Sequence, residues 1–299
     1  LVLNPLFKAT ANADKERYLN SDSVIITGTV EGLYSRNADV EVYVKSASSR
    51  NTILTKTDEN GNYRVVWKPV GNQAGRFIVG ASTVGENLDE EMDAFDIYGM
   101  RRYDSGFILN ELENGEMVEN YLHLLNHGSL PLTGLKVTAE YNTNTARIDF
   151  SGITSLQPGE NGRIIYTIEG LAPSDGRDWE TAKIKVESAE GAVFEQVVYY
   201  YVHSARPALV ASVSEINTSI VKGATRDYEI TIQNDGRGET GEITIDLGNV
   251  GWLKTATPVK MASLAHKERA TIVLQMTPMA QTELNSVYKG NFVISGANG

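Results

Sequence analysis

The sequence predicts an all-β chain built as three β-sandwiches in tandem. Short runs rich in β-branched and aromatic residues recur along its 299 residues, separated by Gly, Asn, Asp and Ser clusters. Helical periodicity is nearly absent: the best stretch, Asn12 to Leu19, has neither an apolar stripe nor useful length. An internal repeat at a fixed offset of 108 residues shows that one module occurs twice. Gly115, Leu122, Leu124, Asn126, Gly128, Ser155, Leu156, Ile164 and Ile168 return as Gly223, Ile230, Ile232, Asn234, Gly236, Ser263, Leu264, Ile272 and Met276.

The elements follow in order. Residues 1–11 read as a lead-in segment, and residues 12–98 as a first sandwich. Its strands are Val24–Thr27, Val40–Val44, Tyr63–Trp67 and Phe77–Val79. The acidic stretch from Asn87 to Asp93 reads as a solvated loop. Residues 99–205 and 206–299 form the repeated modules, with Arg206-Pro207 at the boundary because proline cannot donate to a ladder and stiffens a linker. In the second module Leu122 and Leu124 alternate with Tyr121, His123 and Leu125; in the third, Tyr228, Ile230 and Ile232 alternate with Glu229, Thr231 and Gln233. Each of these strands runs into Asn-x-Gly, residues that tolerate the left-handed backbone of a tight turn.

The offset also marks a strand without a counterpart. Phe194 to Val202 closes the second module, and its equivalent in the third falls at about 302–310. Three readings stay open: the polypeptide continues, which is the expectation preferred, another subunit donates the strand, or Phe194–Val202 is a linker strand. The first residue is Leu1 rather than Met, so the sequence reads as a processed product or an excised fragment.

Composition narrows the function classes. A hydrophobic fraction of 41% is ample for cores, and modules of about 100 residues need no staple. With no cysteine, disulfides, Cys-ligated zinc, iron–sulfur clusters and a thiol nucleophile are all excluded. A net charge of −11 with scattered Lys and Arg speaks against a nucleic-acid partner. No apolar run approaches the roughly 20 residues of a helical membrane span, so no membrane insertion is expected.

Particular residues carry family resemblances. The run Thr57-Asp58-Glu59-Asn60-Gly61-Asn62-Tyr63, flanked by Val24-x-Ile26-x-Gly28-x-Val30, Trp67-x-Pro69 and Gly75-x-Phe77-x-Val79, resembles carboxypeptidase-regulatory-like and macroglobulin-like bacterial domains. The strand ending in Asn-x-Gly, followed by Leu156-Gln157-Pro158-Gly159-Glu160, is similar to the CARDB and NEW3 types of bacterial immunoglobulin-like domain. The third module departs from that pattern with Leu264-Ala265-His266-Lys267-Glu268, while Trp252-Leu253 ahead of Pro258 fits the NEW3 type. These resemblances imply immunoglobulin-like, Greek-key sandwiches in an elongated array. They also imply a place in secreted or cell-surface bacterial proteins, beside an enzyme or adhesin.

Candidate chemistry is sparse. Asp58, Asn60 and Asn62 match the first three ligand positions of a calcium loop, but Tyr63 replaces the glycine at position six and Pro69 the glutamate at position twelve. A hairpin turn around Asn60-Gly61 accounts for the same residues. Asp89, Glu90, Glu91, Asp93 and Asp96 offer clustered oxygens for a divalent ion, against the plain reading of a solvated loop. His123 and His127 stand four apart, a zinc spacing on a helix that does not converge on a strand, and only His203 and His266 remain. No nucleophile elbow or phosphate-cradling loop occurs, so no catalytic or cofactor-binding residue is assigned.

Tyr199 and Tyr201 share one face of their strand and form the candidate recognition surface, able to stack on sugar rings or anchor a protein; packing between modules is the competing reading. Trp67, Trp179 and Trp252 read as core or near-core residues. The expectation is a non-catalytic spacer, display or adhesion segment, extracellular or at the cell surface. Its partners would be neighbouring modules, identical subunits, or a surface glycan or protein. The alternatives are a subunit of a surface filament or S-layer-like polymer joined by strand exchange, and carbohydrate-binding modules of a secreted hydrolase. Strands of about 8 residues at about 3.3 Å each, plus loops, give a rod on the order of 100 Å.

Overall fold

Side chains that alternate in and out with period two can bury only one face of each strand, so sheets must pair face to face. The computed structural model describes residues 8–299 except 86–89, 177, 280, 282 and 284, and it contains strands and no helix among them. Its buried apolar residues fall into three separate clusters, each enclosed by its own pair of sheets. The chain is thus three all-β, immunoglobulin-like sandwiches.

The first sandwich opens with β1 (Lys8–Ala9), β2 (Asn12–Ala13) and β3 (Arg17–Tyr18), followed by β4 (Val24–Glu31), β5 (Asp39–Lys45) and β6 (Arg50–Lys56). It closes with β7 (Asn62–Trp67), β8 (Gly75–Thr83) and β9 (Asp93–Ile97). One sheet groups β1, β2 and β7 around β4; the other runs β3-β9-β8-β5-β6. Tyr63, Val65 and Trp67 face inward while Asn62, Arg64 and Val66 alternate with them. Phe77 stacks on Phe95 with ring centroids 5.6 Å apart, and Tyr18 meets the Phe95 ring edge-on. Asn12–Leu19, in which no helix is expected, holds β2 and β3. One expectation is corrected. Residues 8–11 are no mere lead-in, since β1 pairs β4 and Ala9 and Ala11 are buried in the core.

The second sandwich holds β10 (Met100–Arg102), β11 (Leu109–Glu113), β12 (Met117–Asn126), β13 (Lys136–Glu140), β14 (Ala146–Gly152), β15 (Asn161–Gly170), β16 (Glu180–Glu187) and β17 (Val193–His203). Its sheets run β10-β12-β15-β14 and β11-β17-β16-β13, with β11 and β17 parallel. The third holds β18 (Leu209–Ala211), β19 (Arg226–Asn234), β20 (Ile243–Asp246), β21 (Leu253–Thr255), β22 (Lys260–Met261), β23 (Arg269–Met276) and β24 (Val293–Gly296). Its sheets run β18-β19-β23-β21 and β22-β20-β24.

The sequence repeat is a repeat of register. Leu122 pairs Ile164 as Ile230 pairs Ile272, and Val137 pairs Val186 as Ile245 pairs Ile294. All of these except Val137 and Ile294 are buried.

Candidate functional site: the junctions between sandwiches

The sequence candidates are placed as follows. Asp58 Oδ1 accepts the backbone N–H groups of Asn60 and Asn62, each at 2.8 Å, and Gly61 turns the chain at φ 80°. The backbone bond from Asn62 leads the effects that hold the Asp58 carboxyl below its ordinary range. Its oxygens therefore organise a hairpin turn. The acidic run is divided: Asp89 lies outside the described residues, Glu91 pairs with Arg76, and Asp93 and Asp96 belong to β9 rather than to a loop. Asp93 accepts the Ala13 N–H at 2.8 Å, and Asp96 accepts the Ser129 hydroxyl. Among the described residues no three His, Asp or Glu side chains gather in a metal-holding group.

The histidines diverge. His123 Nε2 meets the Asn161 side chain at 2.9 Å, while His127 Nε2 reaches the Asn72 carbonyl at 2.7 Å. Tyr199 and Tyr201 do share the outer face of β17, half-buried. Phe107 lies edge-on to Tyr199 at 6.0 Å and Trp179 to Tyr201 at 6.2 Å. Trp179 is 37% exposed and so is no core residue; Trp67 is buried in the first core and Trp252 packs at the margin of the third. Trp179 immediately precedes β16 and has the outward parity of Thr181 and Lys183, opposite to the buried Ala182, Ile184 and Val186.

What sequence reasoning missed is the use of the two Asn-x-Gly segments. Neither Gly128 nor Gly236, nor either asparagine, has a left-handed backbone. Asn126 and Asn234 are fully buried polar side chains, and burial demands that every polar atom find a partner. Asn126 Nδ2 donates to the carbonyls of Leu130 and Leu156 at 2.8 and 3.0 Å, and its Oδ1 accepts the Gly128 N–H at 3.0 Å. Asn234 repeats the set with Gly238, Leu264 and Gly236 at 2.7, 3.0 and 3.1 Å. Each asparagine thereby ties its strand end to the turn before the next long strand.

Each of these segments also grips the linker entering its own sandwich. In the second, His127 N–H donates to the Gly99 carbonyl, and a Cβ on Gly128 would sit 3.0 Å from the Gly99 nitrogen. Asn72 and Asp96 of the first sandwich complete that junction through His127 and Ser129. In the third, Asp235 N–H donates to the Ala208 carbonyl at 2.8 Å and Asn234 Oδ1 accepts the Ala208 N–H at 3.0 Å. A Cβ on Gly236 would lie 2.3 Å from the Arg206 carbonyl oxygen, so glycine is required there by close approach rather than by φ. Arg237 reaches back to the Gly115 carbonyl at 2.8 Å. Burial is the main cause that holds the His127 imidazole below its ordinary range, with Arg101 adding to it.

No family model and no curated protein matches the sequence. Solved structures that the fold is similar to include titin domains I67–I69, at 10% identity, covering 97% of this chain and 95% of that one with a TM-score of 0.32. A protein of unknown function from Porphyromonas gingivalis W83 gives 11% identity over 66% of this chain and 100% of its own, TM-score 0.26. The Yersinia pseudotuberculosis adhesin InvE gives 11%, covering 64% and 58%, TM-score 0.27. At such scores the strand pairing of the chain itself, not these likenesses, defines the class: tandem immunoglobulin-like sandwiches. No helix among the described residues is long and apolar enough to cross a membrane.

Proposed function

We propose that the chain is a non-catalytic spacer of a secreted or cell-surface bacterial protein, holding what lies on either side at a fixed separation. Its units are bounded near residues 98/99 and 205/206, and the CARDB- and NEW3-like patterns of the sequence support the surface setting. The observation that carries the reading is the linker grip. Backbone hydrogen bonds to Gly99 and Ala208, from the residue after each buried asparagine, leave the connecting segments little slack. A tether built for flexibility keeps its linker free of such bonds.

Small-angle X-ray scattering tests it. A stiff particle with a maximum dimension on the order of 100 Å is expected from strand arithmetic. A flexible profile, unchanged when a Gly-Ser stretch is inserted after Tyr98, sinks the proposal.

A second reading rests on a separate observation, the aromatic row of Phe107, Tyr199, Tyr201 and Trp179 on the outer sheet face. Flat aromatic faces stack on sugar rings. Retention on a polysaccharide panel, lost on Tyr199→Ala/Tyr201→Ala, would support glycan recognition; equal mobility of both proteins on every polymer removes it.

A further inference from the structure

The two repeated sandwiches share a backbone but differ on one outer face. In the sheet β10-β12-β15-β14 of the second, alternation turns Arg101, Tyr121, His123, Asn161 and Arg163 outward, opposite to the buried Leu122, Leu124 and Ile164. Tyr103 extends this row past β10, its N–H donating to the His123 carbonyl at 2.7 Å. Cross-strand pairing sets His123 opposite Arg163, and Leu125 between Arg101 and Asn161. The six polar and aromatic side chains thus share one patch over three adjacent strands, about 10 Å across.

These side chains hold one another in place. The Arg163 guanidinium lies over the Tyr121 ring, 4.3 Å from its centroid, and the Tyr103 and His123 ring centroids are 4.5 Å apart. His123 Nε2 donates to Asn161 Oδ1 at 2.9 Å, since an amide oxygen can only accept. Tyr103 and Tyr121 are nevertheless 54% and 40% exposed. Neither Arg101 nor Arg163 forms an ion pair among the described residues. The face turns acidic only beyond Tyr121, at Glu119 and Asp149. A chain of net charge −11 therefore keeps uncompensated cations at this one aromatic patch.

The third sandwich shows that the fold does not need them. Ser212 N–H donates to the Thr231 carbonyl at 2.8 Å as Tyr103 does to His123, and Thr231 pairs Thr271 as His123 pairs Arg163. Glu229, paired with Val273, stands where Tyr121 pairs Ile165. The same ladder thus accepts Ser212, Thr231, Glu229 and Thr271, none of them aromatic or cationic. Exposed rings and an unpaired guanidinium that folding does not require mark a recognition surface.

We propose that this face of the second sandwich binds a polysaccharide whose sugars carry anionic groups. Charge complementarity selects the ligand. A sugar ring lies against Tyr103, and its carboxylate or sulfate takes the planar donor fork of Arg163, with Arg101 and the Asn161 amide as further donors. Because Tyr121 already restrains the guanidinium, less freedom is lost on binding. Size favours a glycan over a protein, since a stable protein interface takes about 20–30 residues a side and this patch offers a quarter of that. The inference rests on neither the linkers nor the Tyr199/Tyr201 row, which lies on the other sheet of the sandwich.

Native electrophoresis of the 299-residue protein through polymer-loaded gels tests it. Polygalacturonate or dextran sulfate should retard the protein, the stronger of the two naming the anion, whereas fully methyl-esterified polygalacturonate should not. Tyr103→Ser and Arg163→Thr install residues that the third sandwich carries in the same slots, so the fold is kept, as an unchanged melting midpoint would verify. The double variant should bind about ten-fold more weakly or worse. Tyr199→Ala/Tyr201→Ala should bind as the wild type does, which separates this site from the other aromatic row. No retardation by either anionic polymer, or retardation that the double variant leaves unchanged, overturns the proposal. So does equal retardation by the neutral ester. Equal retardation by poly-glutamate overturns the glycan in favour of an acidic protein partner.

Discussion

Lys267 stands in the left-handed conformation that Gly159 takes one repeat earlier, with φ 62° against 75°. The turn around it is otherwise the same. Gly159 N–H donates to the Asn126 carbonyl and Lys267 N–H to the Asn234 carbonyl, while Glu160 and Glu268 carboxylates accept the amides of Gln157 and Ala265. Loss of the Pro-Gly pair has left the hydrogen bonds in place and moved the cost into the backbone.

Left-handed geometry costs a residue with a Cβ about 1–2 kcal/mol. Lys267→Gly should therefore stabilise the third sandwich by about 1 kcal/mol, although the exposed contact with Asp235 is lost. Chemical denaturation followed through Trp252 reads the change; a destabilised variant would show that the turn tolerates Lys267 without strain.

The buried asparagines should be the most sensitive polar positions. Asn126→Ala or Asn234→Ala strands several buried carbonyls and amides at once, for a loss of about 2–4 kcal/mol. Equilibrium unfolding of each variant measures it, and an effect under half a kcal/mol would contradict the role given to these side chains.

Gly236→Ala tests close approach rather than conformation. A methyl group there meets the Arg206 carbonyl, so the linker must shift, at a cost of about 1–3 kcal/mol. Cross-peaks of Arg206 and Ala208 in an amide NMR spectrum should move most. Changes confined to the interior of β19 would instead indicate a turn requirement.

The first junction should weaken in acid. The His127 pKa in the fold lies below its ordinary value of 6.5, so the unfolded chain binds the proton more readily. Stability from this group is complete above pH 6.5 and lost as pH falls toward the depressed value. Thermal midpoints of the wild type should fall more steeply below pH 6.5 than those of His127→Gln, whose amide can still donate to Asn72. Parallel curves would remove His127 as the cause.

Metal removal should leave the first sandwich unchanged. The Asp58 carboxylate is already occupied by the amides of Asn60 and Asn62. Melting curves with chelator and with excess calcium are expected to overlay, and Asp58→Ala should lower the midpoint in both. A calcium-dependent rise would restore the ion-loop reading.

Much of the fold was legible because alternation is local. The inward set of β7, the buried pairs Leu122/Leu124 and Ile230/Ile232, and the shared register of two modules all follow from period-two patterning and a constant offset. Short elements escaped: β1 to β3 hold two residues each, too few for any periodicity to register. Trp179 was misplaced because which parity of β16 faces the core is set by the opposing sheet, and Trp179 falls on the outward parity.

The sequence by itself determined that this chain is all-β, that it carries one module twice, and that one strand of that module has no second copy within 299 residues. Only the tertiary structure decided what Asn126, Gly128, Asn234 and Gly236 are for. Their partners are carbonyls about 30 residues downstream and linkers 26 to 30 residues upstream, and no spacing rule connects them. It also decided which aromatics lie on the surface. Strand propensity is written into neighbouring residues, whereas burial and hydrogen-bond completion depend on segments brought together across the chain.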